Sequence, residues 1–389
     1  MRTLVMKGRF ATFLLFSQWT SAIIALTYHV RFLLFVPYDA VEAKNVLSKA
    51  FYFITGLGHE SFAVFFVVDG IVTGLIMLDN RSEKIINHVV VPHRLAEIYR
   101  IALPGIMLGA VLDVIGFRFF NCSAVYTSFP QLSKLSLTYS SMLGNLFLLQ
   151  PFIVPTFGSN SMLYLLSYLF WFIVLFVIFL YTVRLRRPYA QYTRGLLFVA
   201  TVAVMSNKFL IWFSIWLLGI AIVVLNGVRR LKPSVLGSIA LFLGALITSR
   251  LIVFHMDTIL PPGAHWVVEY SYLLVAVSFA IVACALYPVT KQEENPDVFS
   301  SPIMAGGIGR VREAVSFTFF FHFPVAMLLV GACTSLFHMP LMQQPNFLLY
   351  LEFTGLIIIC VGVITLISCG ISVVTAVLPF KRRRTLGPN

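Results

Sequence analysis

The sequence predicts an all-helical membrane protein, a bundle of about ten transmembrane helices with both termini in the cytoplasm. Hydrophobic residues make up 59% of the 389 residues and charged residues only 11%, whereas about 25% of the residues in a soluble domain are charged. The apolar residues form long runs, and most basic residues lie in the short segments between them. Membrane topology therefore explains the net charge of +13 better than nucleic-acid binding does.

Ten stretches reach or approach the length of about 20 apolar residues that a helix needs to cross a bilayer. The fifth is short, and the tenth is long enough to tilt or to continue beyond the membrane. The first is interpreted as a retained helix and not as a secretory signal, because it lacks a small-residue cleavage site. The expected spans are 10–33, 55–78, 98–120, 161–183, 193–207, 209–228, 234–255, 266–288, 315–337 and 347–378.

Charge placement predicts the orientation, because Lys and Arg accumulate in cytoplasmic loops. With the N-terminus inside, most of the 28 basic residues fall on the cytoplasmic side. The exceptions lie in outer loops or near outer helix ends: Arg31, Lys44, Lys49, Arg118, Lys134, Lys208 and Arg250. Strongly basic and weakly basic loops alternate along the chain, and a wrong number of spans would break this alternation. Both termini are therefore expected to be cytoplasmic.

The whole chain, 1–389, is expected to form one integral-membrane domain. Its longest loop, about 121–160, is nearly uncharged and too apolar for a disordered linker, so we expect an external cover over the bundle. Residues 379–389 form a basic cytoplasmic tail. The five cysteines show no metal-type spacing, and we interpret them as packing residues.

Ionisable residues inside apolar spans mark candidate functional positions, because burying such a group in a bilayer costs about 2.5–3.5 kcal/mol on insertion scales. His29 lies near the outer end of the first span and Asp69 in the middle of the second. An imidazole titrates near neutral pH and suits general base catalysis; the alternative is a histidine hydrogen-bonded within the bundle. Asp69 is expected to orient His29 or to pair with Arg31, or else to form a buried ion pair that holds two helices together.

Four blocks resemble the integral membrane acyltransferase-3 family, in the same order and at similar intervals. The first is the helix that contains His29, and the second is VFFVVDG at 64–70, similar to the family's FFvlSG signature. The third is HRLAEIYR at 93–100, similar to RRlaRIyP, and the fourth is VSFTFFFHFP at 315–324, close to iSYsiYllHfP. A weaker fifth block runs over 160–171. The resemblance covers nearly the whole chain, with a divergent signature in 10–104.

The resemblance implies a ten-helix O-acyltransferase in the bacterial inner membrane. Such an enzyme moves an acetyl or succinyl group from cytoplasmic acyl-CoA to a hydroxyl of an extracytoplasmic glycan or lipid-linked saccharide. His29 would be the general base. Acyl-CoA is then a co-substrate, with no bound cofactor and no metal. The expected partners are the two substrates, membrane lipid and proteins of glycan synthesis or export.

The expected donor-binding residues are Gln18, Arg94, Arg100 and His322. Gln18 precedes His29 by eleven residues, which returns it to within about 20° of the same helix face, about 16 Å away. Arg94 and Arg100 lie at a cytoplasmic helix entrance, where they would hold coenzyme A phosphates or simply reflect the positive-inside rule. His322 precedes a proline and is expected to contact donor or acceptor, or to be structural.

The expected acceptor-side residues are His59, Glu60 and Arg31, near the outer ends of the first two spans. His59 and Glu60 open the second span and would face an acceptor outside the cytoplasm. As a His–Glu pair without a third ligand, they are weak evidence for a metal.

The chain departs from the family pattern at charged positions. Gln18 stands where the family has an arginine, Asp69 where it has a serine, and Glu97 where the loop signature has an arginine after RRla. The missing charge at Gln18 favours an alternative, a transport or assembly subunit of a glycan export system that has lost catalysis. His29 and His322 favour the enzyme. A secondary transporter would show internal repeats, which the sequence lacks.

Overall fold

The described residues of the structure, a computed structural model, form helices joined by turns and loops, with no strand among them; an isolated bridge joins Phe35 and Gln343. This confirms the predicted all-helical class. The predicted basic tail 379–389 lies outside the described residues. The described ranges are 9–79, 90–120, 125–126, 137–184, 188–203, 205–228, 231–255, 266–288 and 302–377.

The helices follow one another through these ranges with one short 3-10 turn at Tyr38–Ala40. They are α1 (Arg9–Leu34), α2 (Val46–Ile54), α3 (Gly58–Asp79), α4 (Val91–Phe119), α5 (Tyr139–Leu146), α6 (Leu163–Arg184), α7 (Pro188–Ala203), α8 (Asn207–Val228), α9 (Val235–Phe254), α10 (Trp266–Leu286), α11 (Pro302–Phe337) and α12 (Phe347–Val377).

In the described part of the chain, 9 helical segments are long and apolar enough to cross a membrane, with α2 and α3 forming one of them. This defines a multi-pass membrane protein. The fifth predicted span corresponds to α7, whose 16 residues fall short of the about 20 that a crossing needs. The count of ten spans and the cytoplasmic placement of the termini stay predictions.

The core of the bundle is built around α3 and α11. In their spanning windows 89% and 78% of the residues are buried, against 17% in α9 and 22% in α12. A helix that is apolar all round is expected to be enclosed by other helices or by lipid. Helix α1 packs against both α3 and α11, so the polar residues of α1 reach the centre of the bundle.

Two glycines bring α3 and α8 into backbone contact. A Cβ at Gly70 would overlap the carbonyl oxygen of Trp216, and a Cβ at Gly219 would overlap the carbonyl oxygen of Val67. Small residues at a helix crossing let the two backbones approach closely. The close approach brings Trp216 next to the polar part of α3.

We expect Gly219→Ala to lower the free energy of unfolding by about 1–3 kcal/mol, because α3 and α8 must move apart to admit the methyl group. Thermal unfolding of the purified protein in detergent measures this loss. Gly244→Ala on α9 is the matched control, since a Cβ there meets no atom within 4 Å. Equal unfolding midpoints for the two variants would contradict the prediction.

The bundle has two ends, which we name after their arginines. At the Arg94 end α3 finishes and α4 begins, and at the Arg31 end α1 finishes and α3 begins. The sequence predicts that the Arg94 end faces the cytoplasm. Helix alternation puts the segment 137–162, which contains α5, at the Arg31 end.

This segment is organised by hydrogen bonds of Asn145. Its side-chain amide donates to the carbonyl oxygens of Ser141 (2.7 Å) and Pro155 (2.8 Å), and its side-chain oxygen accepts from the backbone N–H of Phe157 at 3.0 Å. Trp171 of α6 donates to the carbonyl oxygen of residue 148 at 2.7 Å. Residues 137–160 of the predicted cover loop therefore form a hydrogen-bonded structure fastened to α6.

Candidate functional site

The centre of the bundle contains a pair of histidines from helices distant in sequence. His29 on α1 and His322 on α11 lie with Nδ1 of the first 3.0 Å from Nε2 of the second. His322 is fully buried, whereas His29 is only partly enclosed. The contact between α1 and α11 thus joins two residues that the sequence analysis assigned to separate roles.

Each histidine is oriented by its own helix. Nδ1 of His29 lies 2.8 Å from the carbonyl oxygen of Ala25, and Nδ1 of His322 lies 2.9 Å from that of Thr318. Both carbonyls are four residues earlier, one turn back along the helix. A carbonyl oxygen only accepts hydrogen bonds, so Nδ1 carries the hydrogen in both rings.

These two carbonyl contacts assign the tautomer of each ring and, with it, the position of the lone pair. With hydrogen on Nδ1, each neutral imidazole has its lone pair on Nε2. The Nε2 atom of His322 accepts from Nδ1–H of His29, which it shares with the Ala25 carbonyl. Nε2 of His29 is left without a hydrogen-bond partner among the described residues, and it is the atom able to take a proton from a ligand.

Aromatic side chains surround this pair. The ring centroid of His29 lies 4.8 Å from that of Phe323 and 5.1 Å from that of Tyr28. Tyr28 in turn packs edge-on against His59, whose ring stacks on Tyr272 at 5.4 Å. These rings limit the access of water to His29 from the sides that they cover.

A second polar cluster lies closer to the Arg94 end and is built on Asp69. Its carboxylate accepts from Nη2 of Arg94 and from Nε1 of Trp216, both at 2.9 Å. Arg94 also donates to Thr73 at 2.8 Å and to Glu97 at 2.9 Å. Asp69 and Arg94 are both buried, so the cluster ties α3, α4 and α8 together inside the bundle.

The partner of Asp69 differs from the first expectation. Asp69 was expected to orient His29 or to pair with Arg31, with a helix-holding ion pair as the alternative. It pairs instead with Arg94, whose side chain reaches from the start of α4 to the middle of α3, whereas Arg31 lies over the rings of Tyr28 and Tyr52 at the other end of the bundle. His322 and the Ala25 carbonyl orient His29.

The two arginines of the expected donor site have different surroundings. Both terminal nitrogens of Arg94 donate to protein acceptors and its side chain is buried, so a phosphate would have to compete with Asp69 and Glu97 for this guanidinium. The side chain of Arg100 is 45% exposed and lies 3.8 Å from Glu313. A phosphate at the Arg94 end can therefore reach Arg100. Gln18 is buried on α1, in the half of that helix nearer to the Arg94 end.

The expected acceptor-side residues lie at the Arg31 end. Glu60 is buried and accepts a hydrogen bond from Ser249 at 2.9 Å. Arg31 lies over the rings of Tyr28 and Tyr52. No third His, Cys, Asp or Glu of the described ranges groups with His59 and Glu60 as a metal site would require.

The sequence analysis missed a buried carboxylate in the third predicted span. Asp113 is fully buried and accepts from the backbone N–H of Ser159 at 2.7 Å, which connects α4 to the cover segment. Nearby, burial raises the pKa of the Tyr126 phenol, with the charge of Asp113 adding to the effect. The rule that singled out Asp69, an acid inside an apolar run, would have found Asp113.

The helical bundle and the histidine pair together define a class, a multi-pass membrane protein with a candidate proton-transfer site in its interior. Comparison with protein-family models, with curated proteins and with solved structures finds no match. The resemblance to the acyltransferase-3 family therefore rests on the sequence blocks quoted above.

Proposed function

We propose that the chain is a membrane-bound O-acyltransferase. It would move an acetyl or succinyl group from cytoplasmic acyl-CoA to a hydroxyl of an extracytoplasmic glycan or lipid-linked saccharide, in a bacterial inner membrane. One observation supports this most directly: Nδ1 of His29 lies 2.8 Å from the Ala25 carbonyl oxygen and 3.0 Å from Nε2 of His322, which assigns the hydrogen to Nδ1 and the lone pair to Nε2. The four sequence blocks supply the reaction class.

The reaction uses His29 as general base. The acceptor hydroxyl gives its proton to Nε2 while its oxygen attacks the thioester carbonyl carbon. The C–O bond forms, the C–S bond breaks, and the proton passes from His29 to the departing thiolate. A positioned general base contributes about 10²–10⁴-fold to the rate. No covalent enzyme intermediate is needed when both substrates meet at one base.

His322 acts as a positioning residue in this mechanism. When His29 takes up a proton it becomes an imidazolium, and its Nδ1–H then donates a stronger hydrogen bond to Nε2 of His322. The base, His29, and the residue that positions it, His322, are thus both histidines, and His322 is neutral. A neutral orienter avoids a buried carboxylate, which an apolar bundle would have to stabilise with further partners.

The two ends of the bundle suggest the direction of transfer. Arg100 at the Arg94 end is exposed enough to receive the phosphates of coenzyme A. Gln18 and His29 share one face of α1, about 16 Å apart, so the pantetheine arm would follow this helix toward His29. The acceptor would enter from the Arg31 end. Such a path lets one base serve substrates from opposite sides of the membrane.

Reconstituted transfer tests this proposal. The purified chain is placed in liposomes with a lipid and glycan extract of bacterial membranes, and radiolabelled acetyl-CoA or succinyl-CoA is added. We expect label in the glycan or saccharide-lipid fraction only when the chain is present. Protein-free liposomes are the control. No label from either donor would overturn the enzyme and favour the transport or assembly subunit.

His322→Ala is expected to lower kcat about 10- to 100-fold, because the imidazolium loses a hydrogen-bond acceptor. His322→Gln retains an acceptor oxygen and should recover part of the rate. The KM for acyl-CoA should change little in both variants. Equal kcat values for His322→Ala and the intact chain would remove His322 from the mechanism.

A further inference from the structure

Two arginines from different helices meet at the Arg31 end of the bundle. Arg31 lies in the last turn of α1, and Arg250 lies near the end of α9. Nε of each guanidinium is enclosed and has no hydrogen-bond partner. Arg31 lies over the ring of Tyr52, and the guanidinium of Arg250 lies against Gly56, one helical turn further along the same segment. Placing like charges together in a low-dielectric interior is unfavourable unless an opposite charge compensates them.

Protein acids do not fully compensate this pair. Neither guanidinium forms an ion pair with a carboxylate of a described residue. Glu60 is the nearby acid, and its carboxylate accepts a hydrogen bond from Ser249, the residue that precedes Arg250 on α9. Lys208 is paired with Glu269 at 3.2 Å. One glutamate opposite two arginines leaves a net positive charge at this place.

Aromatic rings and a glycine shape the surroundings of the two cations. Cζ of Arg31 lies 5.6 Å from the ring centre of Tyr28 and 5.2 Å from that of Tyr52. A ring face attracts a cation without neutralising its charge. A Cβ at Gly56 would overlap the guanidinium of Arg250. The glycine therefore lets Arg250 lie directly against the backbone between α2 and α3.

The arginine pair is close to the proposed base. The ring centroid of Tyr28 is 5.1 Å from that of His29, and Arg31 lies over the same tyrosine ring. A ligand held by the arginines would have its neighbouring atoms near His29. The phosphates of coenzyme A belong at the opposite end, near Arg100.

We propose that Arg31 and Arg250 together bind an anionic group, a carboxylate or a phosphate, of the substrate that reacts at His29. Guanidinium groups match the geometry of both anions. Two molecules can supply the anion: a dicarboxylic acyl group such as succinyl, through its terminal carboxylate, or an acidic acceptor saccharide. Deciding which of these two molecules supplies the anion depends on the proposed acyl transfer. The existence of the anion site does not depend on it.

Ligand binding to the purified full-length chain tests the site independently of catalysis. Thermal unfolding in detergent is followed with succinate, glucose 1-phosphate or neutral glucose, at constant ionic strength. We expect at least one anion to raise the unfolding midpoint where glucose does not. Arg31→Gln and Arg250→Gln should each weaken anion binding about 10- to 100-fold, the effect of losing a charged hydrogen bond.

Three further variants keep this test decisive. Arg118→Gln changes an exposed arginine at the end of α4 and should leave anion binding unchanged. Arg250→Lys retains the charge and should recover part of the binding. Gly56→Ala displaces the guanidinium of Arg250 without changing the charge, and it should weaken anion binding. This variant takes the place of a glutamine variant that fails to fold.

Acyl transfer then identifies the source of the anion. If the arginines hold the acyl carboxylate, Arg250→Gln should raise the KM for succinyl-CoA and leave that for acetyl-CoA unchanged. If they hold the acceptor, transfer from both donors to an acidic saccharide should fall and transfer to a neutral one should not.

The two proposals fail separately. Anion stabilisation without any acyl transfer would overturn the enzyme and keep the site. Equal stabilisation by succinate, glucose 1-phosphate and glucose would overturn the site, and so would a loss of binding in Arg118→Gln as large as in Arg31→Gln.

Discussion

His29→Ala is expected to lower acyl transfer about 10²–10⁴-fold, the contribution of a positioned general base. The loss should be in kcat, because the imidazole acts on the proton that moves in the transition state and not on donor binding. Radiolabel transferred from acyl-CoA in reconstituted liposomes, at matched protein amounts, measures it. The unfolding midpoint should also fall, because Nε2 of the buried His322 loses its hydrogen-bond donor, so transfer is compared at a temperature well below the midpoint of the variant.

Two controls accompany this variant. His29→Gln keeps a hydrogen bond donor near Ala25 but has no group of suitable basicity, so it should be as inactive as His29→Ala. His338→Asn changes an exposed histidine whose φ is +52°, a backbone conformation that asparagine tolerates. It should be fully active. Transfer by His29→Ala at the intact rate would remove His29 as the base.

Asp69→Asn is expected to lower the free energy of unfolding by about 3–5 kcal/mol, the effect of removing one partner of a buried ion pair. The change leaves the guanidinium of Arg94 facing a neutral amide in the interior, with Glu97 as its remaining acid. It also turns one acceptor of the carboxylate into a donor, beside Nε1 of Trp216 or Arg94. Thermal unfolding in detergent measures the loss.

A double-mutant cycle separates the ion pair from its surroundings. Replacing both partners, Asp69→Leu with Arg94→Met, should be less destabilising than the sum of the single changes, because no buried charge is left without its partner. Arg100→Gln is the matched control. That side chain is 45% exposed, at 3.8 Å from its acid, so its loss should cost less than about 1 kcal/mol. Equal losses for Asp69→Asn and Arg100→Gln would contradict the buried pair.

Hydropathy and charge in the sequence were sufficient for the helical class and for most of the helix positions. Each apolar run forms its helix regardless of its neighbours, since the backbone of a spanning segment must satisfy its own hydrogen bonds in lipid. The run at 193–207 was the least certain prediction. The corresponding helix has 16 residues, and this length does not decide whether the helix crosses the membrane.

The candidate site was only half predictable. His29, Asp69 and Arg94 could be singled out because each ionisable group stands in or beside an apolar run. The residues that they contact could not be predicted. Nothing in the local pattern indicates that His29 meets His322, separated by 293 positions, or that Trp216 donates to Asp69.

The sequence by itself determined that this chain is a bundle of apolar helices with a few costly polar groups inside it. Only the tertiary structure decided which of those groups face each other. In the fold His29 contacts His322, and Arg94 forms its ion pair with Asp69. Arg31 and Arg250 lie against the same segment, at Tyr52 and Gly56. The reason is physical: hydropathy acts on each span separately, whereas pairing depends on close packing between helices, which positions such as Gly70 and Gly219 control.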